Sequence, residues 1–340
     1  ANRPGANRPG ANRPGANRPG SNRPGVGRPG NRPGNTRPGN RPGDINIGDI
    51  SLGNNTIINN RPSWSNINRD SINRINGRWQ NGIAGIGNYP ARFPDRFDRR
   101  RDWGNDIRNR WRDLNVNIYA PGWWRRHPFM IGGWSYLYAF NSYPTTYWYG
   151  TPTYAQTTQW FGTQAPIASQ EPVYYDYGDG GNVTYQDNRV YVGDQEVASA
   201  DEFAESAADL ASVDPPESDQ ASEDSQWMAL GTFALTTDRD DVRPDRVVQL
   251  AINKAGIVSG TLYDRSTDDV QAIQGAVDKE TQRVAVRIGE SDTVVAETGL
   301  YNLTQEEASL LVHFGKEKVE DYLLVRLPAP EEGESDSQDD

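Results

Sequence analysis

The first 43 residues form a tandem repeat that offers no side chains for a hydrophobic core. They hold nine Arg-Pro-Gly triplets, mostly within the unit Ala-Asn-Arg-Pro-Gly, and Pro and Gly occupy 19 of the 43 positions. Proline fixes its own φ and keeps the preceding Arg extended, while the following Gly favours a type II turn. The repeat therefore predicts a solvated low-complexity arm, and folded structure is expected only after it.

Charge is distributed unevenly along the chain. Residues 1–130 hold 23 Arg and 8 acidic residues, a net of +15, whereas residues 131–340 hold 12 basic and 38 acidic residues, a net of -26. Such asymmetry is typical of a basic region that binds a polyanion, joined to a solvated acidic remainder. It also predicts head-to-tail association between copies of the chain, which would build an oligomer or a filament.

Composition argues against most catalytic chemistry. The chain has no Cys and only two His, His127 and His313, which excludes a disulfide scaffold, a thiol nucleophile and a zinc-thiolate site. Two Asp-rich turns, at 176–182 and 264–269, offer oxygen ligands but lack the order of a calcium-binding loop. We therefore expect a non-enzymatic protein without catalytic residues, cofactor or metal. No run of 18 apolar residues occurs, so no membrane span is predicted.

Residues 226–328 carry the strongest folding signal. Short β-prone runs with turns between them predict seven or eight antiparallel strands in a meander, closed as a small barrel or strongly curled, and hence a mainly β fold. The predicted strands are Trp227–Leu235, Arg246–Asn253, Ile257–Tyr263, Val270–Val277, Arg283–Ile288, Thr293–Tyr301, Ser309–Phe314 and Asp321–Leu327. Thr304 with Glu307 predicts one capped helical turn within this series.

A small hairpin-and-helix unit is predicted at 183–211. Its hairpin turns at Asp187-Asn188, and Ser199 with Glu202 forms a capping box before a short amphipathic helix. An acidic linker at 212–225 separates this unit from the strands, and an acidic tail occupies 329–340.

Two further segments lie between the arm and the hairpin. Residues 44–118 contain a β-prone stretch at 44–60 and two helical stripes, one of Ile72, Ile75 and Trp79, the other of Ile107, Trp111 and Leu114. Residues 119–182 are rich in aromatic residues and uncharged from 128 to 170. This segment is interpreted either as an irregular layer over a neighbouring domain or as a surface for self-association or saccharide stacking.

Arg and Trp alternate closely in residues 61–126, which suggests contacts with an anionic wall polymer, a lipid surface or nucleic acid. Guanidinium groups bind phosphate, sulfate and carboxylate through two hydrogen bonds and stack on rings. The alternative is a packed helix whose other face is solvated, and no RRM, KH, zinc-finger or helix-turn-helix signature favours nucleic acid. The candidates for anion contact are Arg32, Arg37, Arg41, Arg78, Arg110, Arg125 and Arg126, and those for stacking or an interface are Trp79, Trp111, Trp123 and Trp124.

Four segments of the C-terminal third stand out as distinctive: Gln249–Asp264, Gly275–Arg283, Glu297–Thr304 and Leu311–Gly315. Together with Tyr174–Asp179, the hairpin at Val190–Val192 and the repeat arm, they resemble envelope proteins of planctomycetes that are labelled mu-protocadherin or cell-surface proteins. It implies an exported bacterial protein of the cell surface or periplasm and supplies no catalytic residues. Ala1 in place of a start Met fits a removed export signal or a fragment start.

Two functions follow as expectations. The first is a structural or adhesive envelope protein whose basic arm binds an anionic envelope polymer or the acidic region of a like subunit. The second is a ligand-binding β-barrel module of the periplasm or cell surface, which requires an internal cavity that the Val, Ile and Leu side chains leave unfilled.

Overall fold

The computed structural model describes residues 61–114, 116–127, 140–214, 226–237, 241–289 and 291–330. The predicted repeat arm and the β-prone stretch at 44–60 lie outside these residues, as do most of the acidic linker and of the acidic tail. The described residues form a C-terminal β-barrel and an N-terminal layer of helices and a small sheet that covers it.

In chain order, the described part of the N-terminal half has five α-helices, then a three-stranded sheet and a sixth helix. The helices are α1 (Arg69–Ile86), α2 (Tyr89–Arg92), α3 (Pro94–Leu114), α4 (Pro121–Arg126) and α5 (Tyr154–Trp160). Short 3-10 turns lie at Phe140–Ser142, Thr145–Tyr149 and Pro166–Ser169. The sheet consists of β1 (Val183–Gln186), β2 (Arg189–Val192) and β3 (Gln195–Ser199), and α6 (Ala200–Leu210) follows it directly.

Polar side chains define where the longer helices begin. The Asn68 side chain accepts a hydrogen bond from the Ser71 backbone N–H and caps α1. At α6, the Ser199 side chain accepts from the Glu202 N–H while the Glu202 carboxylate accepts from the Ser199 N–H, so the predicted capping box is confirmed. The helix that follows the hairpin therefore starts where the sequence predicts it.

The remaining strands form a closed antiparallel barrel in which each strand pairs with its neighbours in sequence. The strands are β4 (Trp227–Thr236), β5 (Arg246–Asn253), β6 (Ile257–Asp264), β7 (Asp269–Val277), β8 (Arg283–Ile288), β9 (Val294–Gly299), β10 (Glu307–Phe314) and β11 (Lys318–Arg326). Pairing of β11 with β4, from Leu323 opposite Thr236 to Arg326 opposite Phe233, closes the barrel. The predicted mainly β fold with a small C-terminal barrel is confirmed.

Two glycines allow neighbouring strands of the barrel to approach closely. A Cβ atom at Gly260 would collide with the Gln249 carbonyl oxygen on β5, and one at Gly275 with the Ala285 carbonyl oxygen on β8. Glycine within a strand often marks a tight bend at a barrel corner. These positions help to curl the sheet until its first and last strands meet.

The N-terminal layer covers the barrel from the outside in three patches. Aromatic side chains from α3, α4 and the 3-10 turns pack on β4–β7 and β11, with Phe140 and Trp148 fully buried. The small sheet and α1 pack on β10 at Leu311. Alanines of α6 pack on Ala285 of β8 and Val295 of β9. Burial of a side chain such as Phe140 contributes roughly 1.5–3 kcal/mol, so this layer contributes substantially to stability.

Predicted and observed elements agree best within the barrel and the hairpin. The strands Arg246–Asn253 and Arg283–Ile288 have the predicted bounds, and Asp187 and Asn188 form the hairpin turn with φ of 47° and 62°. The capped helical turn predicted from Thr304 and Glu307 is wrong, since a 3-10 turn ends at Thr304 and β10 begins at Glu307. The strand pairing of Glu307 with Val325 takes precedence over the local cap.

Candidate functional site

Side chains alternate between the inside and the outside of the barrel along each strand. On β5, Val248, Leu250 and Ile252 point inward and belong to an apolar cluster with members on all eight strands. Directly paired residues share a face, and Val248 lies opposite Leu262, which lies opposite Gln271. Gln271 therefore belongs to the inner wall.

A segment containing α5 plugs one end of the barrel, hereafter the plugged end. Ile167 is fully buried within the inward-facing cluster, and Trp160 and Phe161 pack against that cluster. The Lys254 Nζ lies 5.2 Å from the Trp160 ring centre, and the Lys279 Nζ lies 4.7 Å from the Phe161 ring centre. Both lysines lie in turns between strands, so cation–π contacts connect the plug to the barrel.

The opposite end, hereafter the rim end, has polar inward-facing residues. Arg246 pairs with Asp264 and Asp264 pairs with Asp269, two positions beyond the apolar row of Val248. The side chains of Asp264 and Glu320 are 31% and 39% exposed, so solvent reaches this rim.

Tyr322 forms the floor of the rim end. Its hydroxyl donates to the Glu320 Oε2 at 2.9 Å, and its ring packs within the inward-facing apolar cluster. Burial, followed by the hydrogen bond and charge of Glu320, raises the pKa of Tyr322, while Arg246 opposes this shift. The hydroxyl therefore remains a hydrogen-bond donor at neutral pH.

On β8 and β10, an inward-facing residue retains exposure that the adjacent outward-facing residue lacks. Leu310 is 6% exposed and Val286 is 7%, whereas the adjacent outward residues Leu311 and Ala285 are 1% and 0% exposed. Six more inward residues between the middle and the rim end are 3–5% exposed: Leu235, Val248, Leu250, Leu262, Ile288 and Val312.

This exposure falls away towards the plugged end. Ile252 and Val258 are fully buried there, and Val277, at 7%, is the exception at its edge. The residual exposure of inward-facing residues therefore lies mainly between the middle of the barrel and the rim end.

The outer face of the barrel carries a buried ion pair. The Arg283 Nη2 donates to the Glu297 Oε2 at 2.7 Å, and the guanidinium carbon lies 4.4 Å and 4.8 Å from the ring centres of Trp79 and Phe203. Burial acts to raise the pKa of Glu297, but the charge of Arg283, with His313, outweighs it and the pKa is lowered. The charged pair therefore joins the barrel to α1 and α6.

The arginines predicted for anion contact are placed unequally. Arg32, Arg37 and Arg41 lie outside the described residues. Arg78 is half-buried, and three others are exposed: Arg110, Arg125 and Arg126. Among the described residues, these three make no ion pair with an acidic side chain.

The predicted aromatic residues all lie inside the molecule. Trp79 is fully buried, and Trp111, Trp123 and Trp124 are at most 7% exposed. Trp79 packs beside Phe203, and the other three belong to the aromatic layer over the barrel. In this structure they pack within the chain and are not available to stack on an external partner.

The first Asp-rich turn is neutralised by arginine. Asp176 is fully buried and pairs with Arg96 at 2.5 Å and with Arg100 at 2.5 Å, so two guanidinium groups lie where a cation would bind. The Asn182 side chain accepts a hydrogen bond from the Asp176 backbone N–H and donates one to the Tyr174 carbonyl oxygen. Among the described residues, no group of three or more acidic or histidine side chains could hold a metal ion.

The second Asp-rich turn is used for packing. The Asp268 Oδ1 accepts hydrogen bonds from the Tyr263 hydroxyl at 2.7 Å and from His127 Nε2 at 3.2 Å. These bonds lower the pKa of Asp268. His313 is fully buried with its Nε2 3.9 Å from the Glu297 Oε2.

Sequence reasoning missed Gln271 and the Arg283–Glu297 pair. For Gln271 a signal was present, because it is the polar residue at an inward position of a strand whose other inward residues are apolar. For Arg283 the signal was ambiguous, since a polar residue at an outward position also fits a solvated face.

Comparison with known proteins gives no match: no family model, no curated protein and no solved structure matches this chain. In the part of the chain that the structure describes, none of the helices is long and apolar enough to cross a membrane.

Proposed function

We propose that the protein is a non-enzymatic binding protein whose barrel holds one small, largely apolar molecule. The residual exposure of inward side chains carries this proposal, because Leu310 and Val286 retain it and their outward neighbours do not. The interior of an eight-stranded barrel is either just filled by side chains or wide enough for one small ligand. An apolar wall with a few polar groups at one end is typical of small-molecule sites.

The test is a fluorescence titration of the full chain with N-phenyl-1-naphthylamine, a probe that brightens in apolar surroundings. We expect saturable binding of one probe per chain. Leu310→Phe adds bulk to the inner wall and is expected to weaken binding about ten-fold, equivalent to ~1.4 kcal/mol. Leu114→Phe, the same change at a position that is 40% exposed on α3, is the matched control and should leave the affinity unchanged. Absence of saturable binding, or equal losses in both variants, would contradict the proposal.

A second candidate function is attachment to an anionic envelope polymer at the bacterial cell surface or in the periplasm. The observation that favours it is that the Arg–Trp runs have buried tryptophans and exposed arginines. The buried residues are Trp111, Trp123 and Trp124, and the exposed ones are Arg110, Arg125 and Arg126. Side chains anchored in this way hold a set of guanidinium groups at the surface of a rigid layer. The repeat arm adds nine further arginines before it.

This second function is tested by retention of the full chain on heparin, a dense sulfated polymer, over a salt series. Each arginine that contacts the polymer contributes roughly 0.7–0.9 to the slope of log affinity against log salt. Replacing Arg110, Arg125 and Arg126 by Gln should lower that slope, whereas the same change at the ion-paired Arg74, Arg101 and Arg189 should lower it less. An equal slope in the two triple variants would contradict a role for the exposed set.

If heparin does not retain the chain at low salt, the remaining anionic partner is the acidic region of a second copy. Mass photometry at low salt over a concentration series would then be expected to show oligomers. If only monomers were observed, both the binding of an anionic polymer and the binding of a second copy would be contradicted.

A further inference from the structure

At the rim end, Gln271 carries a buried polar atom without a partner. Gln271 lies on the inner wall, is 9% exposed, and its Oε1 has no hydrogen-bond partner among the described residues. Its Nε2 donates to the Asp269 Oδ2 at 3.3 Å, which fixes the amide with its oxygen free. A buried acceptor that lacks a donor is destabilising, so such an atom in a binding space points to a ligand that supplies the donor.

The groups at the rim end include both donors and acceptors, and Lys318 pairs there with the Glu320 Oε1 at 2.6 Å. The Tyr322 hydroxyl is already committed to the Glu320 Oε2 at 2.9 Å. The Arg246 Nε lies 3.8 Å from the Asp264 Oδ2, and the charges of these two residues offset each other. The carboxylates of Asp264, Asp269 and Glu320 already accept hydrogen bonds from Ser266, Gln271 and Tyr322, respectively, which leaves the Gln271 amide oxygen as the buried acceptor without a donor.

We infer that the ligand is an amphiphile with an apolar chain and an uncharged, hydrogen-bond-donating head, such as a hydroxyl or primary amide, which binds the Gln271 Oε1. This inference rests on the proposed barrel function and specifies its ligand. The apolar chain occupies the space beside Leu310 and Val286, and the head lies towards the rim end because Ile167 fills the other end. An anionic head is disfavoured, since it offers no donor to the Gln271 Oε1 and the three carboxylates of the rim outnumber its two cations, Arg246 and Lys318.

The test measures displacement of N-phenyl-1-naphthylamine from the full chain by three compounds with the same chain: 1-dodecanol, dodecyl methyl ether and dodecanoate. We expect the alcohol to displace the probe at a concentration about ten-fold lower than the ether, because only the alcohol donates to a buried acceptor. Dodecanoate is expected to be the weakest of the three.

The variant Gln271→Leu distinguishes the hydrogen bond of the Gln271 amide from apolar binding in the barrel. This variant is expected to bind the probe and to lose the preference for alcohol over ether, whereas Gln186→Leu, an exposed position at the end of β1, should keep it. Equal displacement by alcohol and ether, tightest displacement by dodecanoate, or an unchanged preference in Gln271→Leu would overturn the inference while the barrel function stands. Failure of the wild-type chain to bind the probe would instead overturn the barrel function itself.

Discussion

The outer and inner faces of the same eight strands differ in both packing and polarity. Outward side chains such as Ala285 and Val295 are fully buried under the N-terminal layer, and charged Arg283 and Glu297 are buried with them. Inward side chains such as Leu310 are apolar yet keep a little exposure. Usually a barrel packs its inside and presents its outside to solvent. Here the outside is packed as well, because the N-terminal layer buries it, and some inward-facing residues keep slight exposure.

The largest expected effect tests the outer face through its buried charges. Glu297→Ala leaves Arg283 buried without its partner and is expected to lower the free energy of unfolding by about 3–5 kcal/mol. The measurement is urea denaturation of the full chain. Glu306→Ala is the matched control, because that side chain is 57% exposed and 3.6 Å from Arg108, and it should cost less than about 1 kcal/mol. Similar losses in the two variants would mean that the buried pair is not a main contact of the outer face.

A pair of neighbouring leucines on β10 compares the two faces directly. Leu311→Ala and Leu310→Ala remove the same atoms from the outward and inward sides of one strand, and each is expected to cost about 2–5 kcal/mol. Leu311→Ala should lower the free energy of unfolding by about 1 kcal/mol more than Leu310→Ala. Under the proposed function, Leu310 borders the ligand space, so its substitution removes fewer contacts. Urea denaturation of both variants measures the difference. An equal or larger loss for Leu310→Ala would indicate a filled interior and would weaken the ligand proposal.

A smaller effect is expected from the pH response of Asp321, an exposed residue of β11 whose carboxyl group lies against Gly178. Burial of that carboxyl beneath the loop and the charge of Asp176 raise the pKa of Asp321 to about 6. The folded state then holds the proton more tightly than the unfolded chain, so this group lowers stability as pH rises from 3.8 to about 6.

Asp321→Asn should remove that part of the pH dependence. At pH 7 the variant is expected to be more stable by about 1 kcal/mol, a reduced figure because Asp321 as a whole residue is exposed and solvent screens its charge. Urea midpoints between pH 4 and pH 7 give the measurement, and Asp102→Asn, an exposed residue of α3, is the control. A variant whose midpoint changes with pH as the wild type does would contradict the repulsion between Asp321 and Asp176.

The strands could be predicted because their signals are local. Val284, Val286 and Ile288 alternate with polar or small residues, and the turns between strands are short. Closure could not be predicted in the same way, since the pairing of Arg326 with Phe233 depends on the curl of the whole sheet. The prediction of seven or eight strands therefore left open whether the sheet closes.

The layer that covers the barrel was harder to predict, because its structure depends on tertiary contacts with the barrel more than on local sequence signals. α4 and α5 have six and seven residues, too few for a helical stripe to stand out. The buried state of Arg283 follows from Trp79 and Phe203, which are distant in sequence, so an alternating strand pattern alone could not reveal it. Attachment by the repeat arm stays a prediction, because Arg32, Arg37 and Arg41 lie outside the described residues.

The order of the chain has a consequence for biosynthesis. A ribosome makes the N-terminus first, so the layer that contains Trp79 and Trp148 leaves it before the strands that this layer covers. Until β4 and β11 pair, these tryptophans have no barrel to pack against and expose apolar surface. The strands of the barrel are therefore made after the layer that covers them, and the newly made N-terminal half exposes apolar surface until those strands pair.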